Sequence, residues 1–173
     1  MAHQYVSPPA MQIDPKKRYR ATFRTSAGEF EVELFADRAP RTVNNFVFLA
    51  REGFYSGTTF HRVIHGFMAQ GGDPTGTGSG GSDLDNIPAE FSSEAKFERG
   101  TCGMARTSDP NSANSQFFIM FEPAPHLNGQ YTIWGHVVEG MEFVDAIKRG
   151  AGGSGTVRDP DRIVQLRVAA DVS

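Results

Sequence analysis

The sequence of 173 residues contains a single cysteine, Cys102, so the chain can form no intramolecular disulfide bond. Disulfide frameworks are typical of oxidising compartments, and the chain therefore need not originate in one. Its first twenty residues contain no apolar run of the length that a signal peptide or a membrane span requires. From these absences we expect a cytoplasmic location.

The sequence also lacks an excess of positive charge. Lysine and arginine number 17 against 20 aspartate and glutamate residues, which gives a net charge of −3 and a pI of about 5.9. Nucleic acids and membrane surfaces favour basic proteins as partners, so we expect no nucleic-acid and no membrane partner. No heptad repeat or long apolar edge indicates self-association, and we expect a monomer.

The abundant residue types indicate one domain built from short strands and turns. Hydrophobic residues make up 39% of the chain and include 14 phenylalanines, which suits one sizeable core. The chain also has 19 glycines and 10 prolines, which favour turns. Pro8, Pro9 and Pro15 block regular structure, so we predict a flexible arm at residues 1–16 and a single domain at residues 17–173.

Alternating apolar residues predict about eight strands, and a helical period predicts two helices. Gly28 suits a hairpin turn between the first two strands, while Pro40 and Gly53 suit the beginning and the end of the first helix. Two helices are too few to alternate with eight strands, so we expect an antiparallel barrel or sandwich with two covering helices. The predicted strands are 19–25, 29–35, 58–64, 67–71, 101–105, 116–120, 131–138 and 162–170, and the predicted helices are 39–53 and 139–150.

A glycine-rich stretch at residues 71–82 contains the spacing of a dinucleotide-binding loop. Gly76, Gly78 and Gly81 match that pattern, but the helical period that such a site requires does not follow them. We therefore interpret the stretch as a mobile surface loop.

The histidines and the cysteine form no catalytic or metal-binding motif that we recognise. His61 and His65 have the spacing of helical zinc ligands, but in a strand they would lie about 13 Å apart at about 3.3 Å per residue. Cys102 lies in a predicted core strand with no base beside it. We expect structural or surface roles for these residues and no metal site.

Arg62 stands between Phe60 and Ile64, and strand alternation would place all three side chains on one face. A guanidinium in such a position forms an ion pair, extends its charged end to water, or serves a ligand. Position alone favours an ordinary ion pair.

Three segments place the chain near a known family. They read FHRVIHGFMAQGGDPTGTGSGG (60–81), GMARTSDPNSANSQFFI (103–119) and APHLNGQYTIWGHVVEGM (124–141). In sequence, order and spacing they resemble the cyclophilin family of peptidyl-prolyl cis/trans isomerases, and the resemblance extends from Tyr19 to Ala170. It implies a closed eight-stranded antiparallel barrel capped by two α-helices. It also implies isomerase activity on proline-containing peptides and on unfolded or partly folded proteins.

The resemblance also assigns roles to individual residues. Arg62 takes the position of the catalytic arginine. The remaining positions are expected to bind substrate: Phe67, Met68, Phe118 and Leu127 line the proline pocket, Gln70 and Gln116 hold the peptide backbone, Ala105 and Arg106 form a backbone rail, and His126 and Tyr131 lie at the edge of the pocket.

The sequence departs from the family pattern at several of these positions. His65 replaces a proline, Tyr131 a histidine and His126 a tryptophan, while Arg106 replaces an asparagine. Arg106 adds a cation that would favour acidic residues beside the proline. The loss of the indole at position 126 removes a large surface and an N–H donor, so we expect weakened binding of cyclosporin, the inhibitor typical of this family.

The chemistry of proline isomerisation explains why an arginine is useful. Rotation about an X–Pro bond breaks amide resonance, over a barrier of about 18–20 kcal/mol. The prolyl nitrogen has a localised lone pair only in the twisted state, so a donor aimed at it stabilises that state selectively. No covalent bond is made or broken, and no cofactor is expected. An alternative is a proline-peptide binding, chaperone or scaffold module with little turnover, and a weaker one is a barrel whose motif residues are only structural.

Overall fold

Eight antiparallel strands form one curled sheet in the computed structural model of the chain, which describes residues 11–171. The order of strands across the sheet is β3-β4-β6-β5-β7-β2-β1-β8. Two α-helices and one turn of 3-10 helix at Pro125–Leu127 accompany the sheet. The strands are β1 (Arg18–Thr25), β2 (Gly28–Leu34), β3 (Arg62–Ile64), β4 (Met68–Gly71), β5 (Thr101–Met104), β6 (Phe117–Met120), β7 (Ile133–Glu139) and β8 (Ile163–Asp171), and the helices are α1 (Pro40–Arg51) and α2 (Met141–Asp145).

The sheet is an open half-barrel, so the prediction of a closed barrel is wrong in this respect. No ladder joins β3 to β8 at the two ends of the sheet, and the single bridge between Thr59 and Arg162 lies just outside both strands. Residues 150–157, which we call the seam segment, lie along the edge of β3 instead. The Val63 N–H donates to the Gly155 carbonyl at 2.8 Å, and the Gly150 N–H donates to the Val63 carbonyl at 2.8 Å.

The first hairpin and the first helix agree with the prediction. Thr25 pairs with Gly28 at the end of the hairpin. Gly28 has a φ of 136°, which residues other than glycine rarely adopt. Pro40 lies in the first turn of α1, where its missing N–H costs no hydrogen bond. The chain leaves this helix through Gly53, whose φ is 74°.

The second helix is shorter than predicted, because α2 ends at Asp145 rather than near Gly150. Arg149 turns back after the helix and donates to the carbonyls of Asp145 and Ile147 at 2.6 and 2.7 Å, while its guanidinium lies 3.8 Å from the centroid of the Phe121 ring. These contacts hold Arg149 against the end of the helix and over an aromatic ring, so the chain leaves the helical path before Gly150. No helix in the described part of the chain is long and apolar enough to cross a membrane.

Apolar side chains separate into two clusters on opposite faces of the sheet's central strands. Phe117 is fully buried in the larger cluster, which we call the main core, where its ring packs edge-on against Trp134. Its neighbour Phe118 belongs to a smaller cluster, which we call the pocket cluster and which includes Met68 and Phe97. Strand alternation turns these two adjacent phenylalanines to opposite faces of β6.

The predicted arm lies only partly within the described residues, since residues 1–10 fall outside them. Ile13 is buried in the main core. The Gln12 N–H donates to the side chain of Asn44 at 2.7 Å, and the Asp14 N–H donates to the hydroxyl of Tyr19 at 2.8 Å. Residues 12–14 therefore contact the domain, and the arm boundary at residue 16 remains a prediction.

Candidate active site

Three neighbouring strands bring the central site residues into a row across the sheet. Arg62 of β3 pairs with Gln70 of β4, which pairs in turn with Phe118 of β6. Strand alternation turns Arg62 outward and Val63 into the main core. Phe60 precedes the strand and is buried in the main core, so the expectation that it shares a face with Arg62 is wrong.

A cavity of about 260 Å³ opens beside Arg62. Its floor is formed by the pocket cluster, and its volume suits a small apolar group such as a pyrrolidine ring. The cavity brings together every residue that the sequence assigned to the site except Gln116 and His126. The lining residues are Arg62, Phe67, Met68, Gln70, Ala105, Arg106, Phe118, Leu127 and Tyr131.

The two remaining predicted residues border this cavity. Gln116 accepts a hydrogen bond from the side-chain amide of Gln70 at 2.9 Å. His126 is exposed on the 3-10 turn and lies over the ring of Phe67, with the ring centroids 6.2 Å apart. All of the predicted site residues therefore lie in or beside one cavity.

The Arg62 guanidinium is exposed and is held by neutral oxygen atoms. Its Nε donates to the carbonyl of Ser154 in the seam segment at 3.0 Å, and its Nη1 donates to Oε1 of Gln70 at 3.2 Å. The ion pairs found within residues 11–171 join other arginines to acids, namely Arg20 to Glu31 and Arg99 to Asp145. The interpretation of Arg62 as an ion-pair residue therefore has no support in this part of the chain.

A chain of side-chain amides extends from Arg62 to the glycine-rich loop. Gln70 connects Arg62 to Gln116, and Nε2 of Gln116 donates to the carbonyls of Gly78 and Gly80, both at 2.9 Å. Both amide groups are oriented by these bonds, because reversing either one would place like atoms against each other. The loop thus fixes the two glutamines and, through them, the guanidinium.

Asp73 organises this loop from beneath. Its carboxylate accepts bonds from the Thr75 N–H and hydroxyl at 2.8 Å each, from the Gly78 N–H at 2.6 Å and from the Gly80 N–H at 3.1 Å. Burial alone would raise the pKa of the Asp73 carboxyl, but these hydrogen bonds outweigh it and lower the pKa below its ordinary value. Asp73 was not predicted from the sequence as a site residue, although an aspartate followed by Pro74 and Gly76 is a turn signal, since its side chain can accept from the backbone two residues on.

His61 is buried on the inner side of the same loop, next to Gly78. Neither ring nitrogen has a hydrogen-bond partner of acceptable geometry among the described residues. Burial lowers the pKa of His61 from its ordinary value, and the nearby Asp73 charge and Thr59 backbone offset only part of the decrease. His61 is therefore a buried neutral residue that packs under the loop.

Cys102 is fully buried in the main core, as the sequence predicted. Burial raises the pKa of its thiol well above its ordinary value, so the thiolate that a nucleophile needs does not form near neutral pH. Among residues 11–171 no group of three or more His, Cys, Asp or Glu side chains could hold a metal ion.

Arg106 lies at the junction of the small cavity with a larger one of about 630 Å³, and it lines both. Its guanidinium lies over the Tyr131 ring, 4.7 Å from the centroid. Its Nε donates to the Gln130 carbonyl and its Nη1 to the Thr107 carbonyl, both at 2.9 Å. Arg106 therefore forms a fixed wall between the two cavities.

The described residues form an open half-barrel in which an ordered arginine lines a small cavity with an apolar floor, an arrangement that can hold a small apolar group of a ligand. Residues 20–168 match the family model described as cyclophilin type peptidyl-prolyl cis-trans isomerase. The chain therefore belongs to the cyclophilin family, and it is an enzyme of the peptidyl-prolyl cis-trans isomerase class.

Individual relatives agree with this assignment. A probable peptidyl-prolyl cis-trans isomerase of Brucella suis is 51% identical over 156 residues, which cover 83% of this chain and 79% of that protein. A peptidyl-prolyl cis-trans isomerase of Arabidopsis thaliana is 44% identical over 140 residues, which cover 78% of this chain and 85% of that protein.

Solved structures resemble the fold over most of its length. A cyclophilin-type peptidyl-prolyl cis-trans isomerase of Cryptosporidium parvum superposes with a TM-score of 0.82 at 33% identity, covering 89% of this chain and 99% of that chain. A structure of that isomerase in the presence of the dipeptide Ala-Pro superposes with a TM-score of 0.80 at 34% identity, covering 88% and 99% of the two chains.

Proposed function

We propose that the chain accelerates rotation about X–Pro bonds in peptides and folding proteins through a hydrogen bond from Arg62 to the twisted prolyl nitrogen. The observation that supports this most directly is the position of the Arg62 guanidinium. It lines a cavity with an apolar floor, is held by two neutral acceptors, and has no carboxylate partner within residues 11–171. Its full charge is therefore available to a ligand.

The physical effect of Arg62 is specific to the twisted state. In the planar amide the nitrogen lone pair is delocalised and accepts hydrogen bonds poorly, whereas in the twisted amide it is a localised acceptor. A donor at that point stabilises the transition state more than either isomer. A charge-assisted hydrogen bond contributes about 1.5–3 kcal/mol, which corresponds to about 10- to 150-fold in rate.

The other site residues are proposed to hold one side of the substrate's X–Pro bond in place while the other side rotates. We propose that the pyrrolidine ring sits against Phe118 and Leu127 in the cavity, where its apolar atoms leave water. Gln70 and Gln116 then hold backbone groups of the peptide, and the amide chain from Arg62 to the loop keeps them oriented. With one side held, rotation is confined to the other side, which lowers the entropy lost on reaching the transition state.

Substrates of this site are proposed to be exposed proline-containing peptides and segments of unfolded or partly folded proteins. The cavity is open to solvent and small, so it suits a loosely structured chain better than a folded surface. The Cryptosporidium relative was crystallised in the presence of Ala-Pro, which fits the same class of ligand. A cytoplasmic location and a monomeric state remain proposals that rest on the sequence.

Replacing Arg62 tests the mechanism. We expect Arg62→Ala to lower kcat/KM for a proline tetrapeptide at least about tenfold, because it removes the only donor proposed at the prolyl nitrogen. Arg62→Lys should retain part of the activity, since it keeps the charge but loses the planar fork. Arg62 is exposed, so circular dichroism should show both variants folded.

A matched control is Arg38→Ala, which removes an exposed arginine that lies over the Phe35 ring outside the cavity and should leave kcat/KM unchanged. Unaltered exchange in Arg62→Ala would contradict the proposed role of the guanidinium. Tight peptide binding without fast exchange in the wild-type protein would instead favour the binding module. If the protein neither binds proline peptides nor accelerates their cis/trans exchange, only the interpretation of the motif residues as structural would remain.

A further inference from the structure

The groove beside Arg62 carries two positive charges and no negative one. The small and the large cavity adjoin, since Gln70, Ala105 and Arg106 line both. Together their linings contain Arg62 and Arg106 but no aspartate or glutamate. Neither arginine takes part in an ion pair within residues 11–171. The formal charges on the lining of the groove are therefore positive on a protein whose net charge is −3, while the Asp73 carboxylate beneath the loop is occupied by its bonds to Thr75, Gly78 and Gly80.

Arg106 is held in place without being neutralised. Its two hydrogen-bond acceptors are the backbone carbonyls of Gln130 and Thr107, and its third contact is the face of Tyr131. None of these carries a formal charge, and Nη2 has no hydrogen-bond partner among the described residues. A guanidinium fixed in this way loses little entropy when it meets a carboxylate.

We propose that Arg106 makes the enzyme prefer X–Pro segments that carry aspartate or glutamate next to the proline. This inference rests on the proposed function, because it names the substrate class of that same site. Arg62 is committed to the prolyl nitrogen, so Arg106 is the cation left for a flanking carboxylate. Arg106 lines the cavity that takes the proline ring, which brings a neighbouring acidic side chain within its reach.

Isomerisation of matched peptides tests the preference. One set of N-acetylated peptides carries Glu, Gln or Lys immediately before proline, and a second set carries them immediately after it. In at least one set we expect kcat/KM for Glu to exceed that for Gln about threefold and that for Lys about tenfold at low salt, the range of partly exposed ion pairs. The preference should shrink as the ionic strength rises.

Two variants assign the preference to a residue. Arg106→Gln should bring the ratio of Glu to Gln peptides to about one, because it removes the charge and keeps a polar side chain of similar length. Arg38→Gln removes the same charge from an arginine that lies 5.3 Å over the Phe35 ring and borders other cavities. It should therefore keep the wild-type ratio. An equal loss in both variants would assign the effect to net charge and overturn the role of Arg106.

The outcomes separate this inference from the proposed function. Isomerisation of all peptides at equal rates would overturn the preference and leave the isomerase mechanism intact. Absence of isomerisation on every peptide would contradict the proposed function instead. In that case the dissociation constants of the same peptides, measured by calorimetry, still decide the preference, since equal affinities for Glu and Gln peptides would overturn it.

Discussion

His126 is one of the site residues at which the sequence departs from the family pattern that it resembles, with an imidazole in place of an indole. It lies over Phe67 on the exposed 3-10 turn, so it borders the cavity without closing it. An indole at this place would add apolar area and an N–H donor at the rim. The effect of the exchange should therefore fall on large ligands that extend beyond the cavity.

Cyclosporin is such a ligand, and we expect His126→Trp to strengthen its inhibition. One added hydrogen bond and its apolar contact should lower the inhibition constant about tenfold, while kcat/KM for a short proline peptide changes little. Titration of the inhibitor into the isomerisation assay measures both quantities. Nanomolar inhibition of the wild-type protein would contradict the expectation that its binding is weakened.

Individual site residues could be predicted from the sequence where they belong to a contiguous motif. Arg62, Gln70 and Gln116 lie in such motifs, and the structure connects them through Gln70, which is hydrogen-bonded to each of the other two. The supporting carbonyl of Ser154 was not predicted, because it is a backbone atom 92 residues from Arg62 in the chain and no side chain marks it. Its contribution depends on the tertiary path of the seam segment.

Among the elements, those with strong local signals agree with prediction, and those decided by tertiary contacts do not. The first hairpin has Gly28 at its turn, and α1 has Pro40 at its start, so short-range chemistry determines both. The third strand was predicted at residues 58–64 but spans only Arg62–Ile64. Phe60 before it is drawn into the main core, where its ring packs edge-on against Phe117. The sequence pattern cannot show this packing, because it depends on tertiary contacts.

The glycine-rich loop should depend on the Asp73 carboxylate. We expect Asp73→Asn to lower kcat/KM severalfold, because an amide cannot accept all four bonds that hold the loop and its carbonyls orient Gln116. Asp83→Asn is a suitable control, since Asp83 is an exposed residue of the following turn and should not affect activity. Unchanged kinetics in Asp73→Asn would show that the loop does not position the amide chain.

The same carboxylate gives the wild-type protein an acid-sensitive contribution to stability. The folded-state pKa of Asp73 lies below that of the unfolded chain, about 3.9, so its hydrogen bonds stabilise the fold above that pH. This contribution is lost as the pH falls through the folded pKa. The free energy of unfolding, measured with urea between pH 3 and 6, should therefore decline more steeply towards low pH in the wild type than in Asp73→Asn.

At the scale of the whole molecule, the resemblance predicted the sheet and its two helices but not the gap in the sheet. β3 itself forms no ladder with β8, because the seam segment takes that edge of β3. The backbone hydrogen bonds between the two ends of the sheet instead join residues 57–60, just before β3, to residues 161–163. The glycines of the seam segment permit its close approach, because a Cβ atom on Gly150 would overlap the carbonyl of Gly155. The seam segment also carries Ser154, which connects the edge of the sheet to Arg62.

We expect Gly150→Ala to destabilise the protein by about 1–3 kcal/mol, the usual cost of forcing extra atoms into a packed site. It should also lower kcat/KM, because opening the seam displaces the Ser154 carbonyl from Arg62. Gly153→Ala is the matched control, since a Cβ atom there meets nothing within 4 Å. Thermal unfolding and the isomerisation assay measure both effects, and equal behaviour of the two variants would show that the seam does not support the site.

The division of apolar side chains into a main core and a pocket cluster has a consequence for how this protein can change. Phe117 and Phe118 are adjacent in sequence and both buried, yet one packs in the main core and the other lines the cavity beside Arg62. Substitutions at the residues that line the cavity can therefore change ligand contacts while the main core keeps its packing. Such a scaffold can acquire a new ligand repertoire through changes at the rim of the cavity, by drift or by directed evolution.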